Sequence, residues 1–158
     1  MEKMGKRSSL TLRSIFRYMM ENGYYPVYEK THITFEFKGN LAVLELDEDI
    51  LCIRLFFSIE EDDYDNMLEA SNACMLKTYM IKPALLDDMA SLMFSCECIC
   101  MTYRDFTRFF PRMTAMLEEA VGIHKEEMKQ IILTEGIAKA VMPAAEESAA
   151  GIIRKPLS

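Results

Sequence analysis

The chain has 158 residues, 51% of them hydrophobic, which suits one domain with a single substantial core and not a disordered segment. Its net charge of −7 argues against a nucleic-acid partner, which would need clustered Lys and Arg. Apolar runs are short and interrupted by charge, which argues against a membrane span. The basic start (Lys3, Lys6, Arg7) leads into Arg13 and Arg17 rather than an unbroken apolar stretch, so no signal peptide is expected and the chain is placed in the cytoplasm.

The first predicted element is a helix capped by Ser8 or Ser9, with an apolar stripe of Leu12, Ile15, Phe16, Met19 and Met20. Asn22-Gly23 ends it, and Pro26 confirms the break. Tyr25, Val27 and Tyr28 then suggest a short edge strand, where a proline is tolerated. Ile33, Phe35 and Phe37 alternate with Thr34, Glu36 and Lys38, the pattern of a half-buried strand. Gly39-Asn40 reads as a two-residue turn. Leu41–Leu46 is the next strand, Asp47-Glu48-Asp49 the next turn, and Ile50–Ile59 the third strand of a meander.

Asp62 or Asp63 is expected to cap a second helix, and the acids of Glu60–Asp65 favour the positive end of its dipole. Leu68, Met75, Leu76 and Tyr79 supply its apolar contacts through about Met80, and Lys82-Pro83 is its stop. Ala84–Leu86 and Ser91–Met101 read as two further strands turning near Asp87-Asp88. A third helix starts at Thr102, with Asp105 three residues on. Its stripe is Phe106, Phe109, Phe110, Met113, Leu117, Val121, Met128, Ile131 and Ile132, and Pro111 inside it predicts a kink or two helical pieces. The pattern fades after Gly136, which divides the chain into a domain over 1–136 and a tail over 137–158.

The order is therefore α+β: helix, antiparallel three-strand meander, helix, two strands, long C-terminal helix. It resembles the YbjN and type III secretion chaperone-like proteins over about Ser9 to Met128. Asn72 in the middle helix, Lys82 at its end, Leu85–Asp88 at the turn and a strand feeding a long helix carry the likeness. The resemblance implies a small acidic protein that is commonly dimeric. Secretion chaperones of this kind hold an unfolded segment of another protein against exposed apolar surface, whereas the tail over 137–158 has no counterpart in the likeness.

Few residues suggest chemistry. Cys96, Cys98 and Cys100 fall two apart on a strand and would form a column on one face. Thiols so placed do not converge on a tetrahedral metal, and no Cys-x-x-Cys is present, so they read as small side chains that let a helix pack closely. Metal or redox use of the column is one alternative to a binding role, and a structural subunit of a larger assembly is another. Between Glu45 and Glu69 ten acidic residues face one base, Arg54, in loops too far apart to share an ion and without a calcium-loop pattern. His32 starts a strand, and His124 falls in the third helix's stripe as a hydrogen-bonded histidine at the core edge. Phosphate-loop, nucleophile-elbow and metal-helix motifs are absent.

The sequence thus points to a non-enzymatic protein-binding module with no catalytic, metal or cofactor residues. Its expected partner is another protein chain, first of all a second copy of itself. Fourteen methionines suit both core gaps and adaptable contact surfaces. The candidate contact residues are Phe106, Phe109, Phe110, Met113 and Met116, an apolar band too wide for one sheet to cover.

Overall fold

Alternation of large apolar residues builds one continuous antiparallel sheet, and three helices cover one of its faces. The computed structural model describes residues 9–141. The elements are α1 (Leu12–Glu21), β1 (Val27–Tyr28), β2 (His32–Phe37), β3 (Asn40–Asp47), β4 (Ile50–Ser58), α2 (Tyr64–Lys77), β5 (Ile81–Leu85), β6 (Ser91–Ile99) and α3 (Tyr103–Val141). The six strands lie in the order β1-β2-β3-β4-β6-β5, so β6 enters beside β4 and β5 becomes the far edge.

Register explains the two faces. Ile33 pairs with Leu44, Leu44 with Ile53 and Ile53 with Cys96, a row that is buried throughout. Phe35, Ala42, Leu55 and Phe94 form the next row, and both rows join Ile15, Met19, Cys74, Phe106, Phe110 and Leu117 from the helices in a single core. Side chains of opposite parity carry the ion pairs Arg54–Glu45 and Lys82–Glu97. Phe37, at the end of β2 opposite Asn40, is only half-buried.

Several expectations shift in position. Thr11, not Ser8 or Ser9, caps α1, through a capping box with Ser14. Ser9 is instead engaged in a bridge to Thr102, and the Leu10 N–H donates to the Met101 carbonyl. The β2–β3 turn is Lys38-Gly39, one residue earlier than expected. Phe37 pairs with Asn40, and Lys38 and Gly39 take φ of 51° and 82°, the positive values a two-residue type I′ turn requires at both centres. Gly39 adopts this without strain, and Lys38 accepts it at a cost.

Lys82-Pro83 does not stop α2. The helix ends at Lys77 with Thr78 extended, its hydroxyl donating to the Cys74 carbonyl, and Lys82 and Pro83 lie inside β5. Proline is tolerated there because β5 is an edge strand whose Pro83 nitrogen can face the open side. α3 is one helix of 39 residues through Pro111, not two pieces. Pro111 is exposed, so water can serve the carbonyl left without a donor. α3 also runs past the expected domain end at 136 to Val141, while the rest of the predicted tail lies outside the described residues. Its start agrees with the sequence reading: the Asp105 N–H donates to the Thr102 hydroxyl at 3.1 Å.

Candidate protein-binding surface

The band predicted on α3 divides into core and surface. Phe106 and Phe110 are fully buried and belong to an aromatic cluster. Tyr18 of α1 meets their rings edge-on at 5.2 and 5.9 Å, and Tyr24 meets Phe110 at 5.2 Å. Neither ring is available to a partner, because α1 covers the side of α3 that carries them. That corrects the sequence expectation for these two residues.

Phe109, Met113 and Met116 face elsewhere. With Met80, Cys98, Ile99 and Arg112 they line a surface pocket of about 340 Å³. Met113 forms its buried floor, with the Cys98 thiol 3.6 Å from its sulfur. The pocket exists because two strands differ in length. Pairing of β5 with β6 stops at Ile81↔Cys96, whereas β4 follows β6 on to Ile50↔Ile99. The end of β6 therefore overruns β5 and leaves a notch, bordered by Met80 in a left-handed conformation (φ 63°). Met80, Ile99 and Arg112 escaped the sequence reading, since nothing local signals where one strand outruns its neighbour.

A second apolar surface adjoins the notch through Met80. Leu68, Met75 and Leu76 of α2 and Tyr79 just past its end, expected to supply the helix's apolar contacts, point outward. Leu76 and Tyr79 are each 86% exposed, Leu68 46% and Met75 48%. The face that α2 buries consists of Ala70, Ser71 and Cys74. These small side chains bring it close to α3, with the Cys74 thiol 3.3 Å from the Ala120 carbonyl. Lys77–Glu127 and Asn66–Glu135 tie the two antiparallel helices along their length.

The cysteine column packs beneath the helices. Cys96 and Cys100 are buried and Cys98 half-buried. Burial pushes the Cys96 thiol up to about 12 and the Cys100 thiol up to about 11. The thiolate is the form that attacks or binds soft metal, and this environment disfavours it. Among the described residues no group of three or more His, Cys, Asp or Glu is placed to hold a metal ion.

His124 is buried, its Nε2 3.0 Å from the Ser71 hydroxyl and its ring edge-on to Phe94 at 5.4 Å. Burial lowers its pKa, and a hydrogen bond to the Met67 backbone partly opposes the shift. The folded state therefore holds the neutral ring, while the unfolded chain takes up a proton near pH 6.5. Stability from this group is fully present above about pH 6.5 and is lost as pH falls from there through the lowered folded value. Urea midpoints at pH 7.5 and 5.5 should drop further for the parent than for His124→Asn. Equal drops would assign the acid sensitivity to other groups.

No family model and no curated protein matches the chain. Solved structures do match. YbjN from E. coli, described as a proposed transcription regulator, superposes with a TM-score of 0.62 at 12% identity, over 77% of this chain and 94% of that one. This chain has a YbjN-like fold. An uncharacterized protein from Methanothermobacter thermautotrophicus matches with a TM-score of 0.51 at 10% identity, over 75% of this chain and 99% of that one. Neither YbjN nor the Methanothermobacter protein is described as an enzyme. No helix among the described residues is long and apolar enough to cross a membrane.

Proposed function

We propose that this chain is a non-catalytic, cytoplasmic protein-binding module that pairs with a second copy of itself across the outer face of α2. The observation that carries the reading is the outward stripe of Leu68, Met75, Leu76 and Tyr79, with two side chains 86% exposed. Scattered surface apolar residues need no explanation, but large ones gathered on the outer face of one helix and just past its end mark an interface. The stripe is also self-complementary. An antiparallel twofold near Asn72 sets Leu68 against the partner's Leu76, both on the outer face of α2. A twofold contact of this kind uses one patch twice, and dimers of that type are the commonest closed assemblies.

The notch at the end of β6 continues this surface through Met80, and its methionines and Phe109 suit an adaptable contact. In a chaperone-like role the same apolar ground would hold a segment of another chain. Redox or metal chemistry at Cys96, Cys98 and Cys100 is disfavoured, since it would ask for thiolates where burial favours thiols.

Light scattering on the purified chain at micromolar concentration tests the pairing. The parent should have twice the chain mass, and the Leu76→Glu/Tyr79→Glu variant should have the monomer mass with an unchanged melting temperature. A monomeric parent would remove the dimer and leave the surface to a different chain. A dimeric variant would move the contact off α2.

A further inference from the structure

A separate cavity of about 300 Å³ opens where α3 crosses the end of β4, the start of β6 and the start of α2. Phe57, Met67, Leu92, Phe94, Val121 and Met128 make its walls. The polar ring on its wall, His124, already has its Nε2 taken by Ser71, so it offers that nitrogen to no ligand. Lys125 and Lys129, one helical turn apart and both exposed, complete the lining. Neither forms an ion pair among the described residues, although Lys38, Lys77 and Lys82 all do. A second cavity of about 330 Å³ shares Phe57, Val121 and Lys125 with the first and continues beside Gly122 toward the Lys38–Glu118 pair. The first is an apolar trough with Lys125 and Lys129 at its mouth, and the second extends it past Val121 to the polar groups Lys38, Asn40 and Glu118.

We infer that this trough binds an amphipathic carboxylate, a medium-chain fatty acid, with the alkyl chain against Phe57, Phe94 and Met128 and the carboxylate at Lys125 and Lys129. Three features select this occupant. Volume and apolar lining fall in the range of small-molecule sites, where a few polar groups fix orientation. Two unpaired ammonium groups in a chain of net charge −7 complement a single anionic head. The walls of the first cavity leave little side-chain polarity to satisfy the backbone of a peptide, which an alkyl chain does not carry. The site lies apart from the notch beside Met80 and does not depend on self-association.

The test is a titration of octanoate into the full chain, followed by NMR of the Met67 and Met128 methyl groups. Saturable shifts of both are expected, with octanol at least tenfold weaker. Lys125→Gln/Lys129→Gln should weaken octanoate tenfold or more and leave octanol unchanged, and Lys30→Gln should match the parent. These lysines are exposed, so the variants should remain folded. Methyl groups that stay put up to millimolar octanoate would overturn the site. Equal binding of octanol, an undisturbed double variant, or an equal loss in Lys30→Gln would overturn the carboxylate recognition. Tighter binding of a short peptide ending in leucine would overturn the choice of ligand.

Discussion

Phe110→Ala is expected to destabilise the chain by about 3–5 kcal/mol, the range for removing a buried aromatic ring. Phe110 has no exposed surface and lies within ring-packing distance of Tyr18, Tyr24, Phe35 and Phe106. Those neighbours come from α1, the loop after it, β2 and α3, so the ring joins the N-terminal elements to the long helix. Truncation loses its apolar burial and leaves a void that four stiff rings cannot fill without leaving their rotamers. Against a typical total stability of about 5–15 kcal/mol, the loss takes a large share. At this chain length it corresponds to a melting temperature lower by roughly 6–20 °C. Phe109→Ala is the control: one position along, that ring is half-buried in the notch and should cost well under half as much. Equal losses in a urea melt would mean that the two rings are not divided between core and surface.

The same pair shows what could be read from the chain and what could not. Helical spacing marks Phe106, Phe109, Phe110 and Met113 as one broad apolar band, and the band is real. Which part of it is covered depends on where Tyr18 arrives from α1, about ninety residues earlier in the sequence, and spacing within α3 holds no record of that. The meander was legible because Ile33 and Phe35 alternate with polar neighbours, a pattern only a half-buried strand satisfies. Its first turn came out one residue late because glycine draws attention to itself, whereas Lys38 gives no sign of a positive φ. Pro83 misled in the opposite way. It is a strong helix breaker, but the helix had already ended at Lys77, and the proline fits an edge strand whose position only the strand order reveals.

α2 is the most instructive misreading, because two sets of its residues satisfy helical spacing. Leu68, Met75 and Leu76, with Tyr79 just past the helix end, are large and look like the core face, yet the buried set is Ala70, Ser71 and Cys74. Small residues are buried here because α3 approaches closely, and close approach returns dispersion contacts along the whole seam. The large residues were legible as apolar but not as outward-facing. The candidate surface was therefore present in the sequence under the wrong heading.

That seam supports the second large expectation. Ala120→Leu should destabilise the chain by about 1–3 kcal/mol, since overpacking a tight site forces side chains off rotamer or moves the backbone. Ala120 has no exposed surface, and its carbonyl lies 3.3 Å from the Cys74 thiol, so added carbons have no void to enter. α2 is the element free to yield. It is held by the half-exposed Lys77–Glu127 pair and the long Asn66–Glu135 contact, and exposed pairs contribute little. Lifting α2 shifts Leu68, Met75, Leu76 and Tyr79 together, so the variant should also pair more weakly than the parent at equal concentration. Glu119→Leu adds a similar side chain one residue earlier at an exposed position and should stay within about 0.5 kcal/mol of the parent. Urea unfolding gives the first quantity, and the mass measured across a dilution series gives the second. An Ala120→Leu variant as stable as Glu119→Leu would show that the helices are not in close contact. A destabilised variant that still pairs like the parent would place the self-contact on an element other than α2.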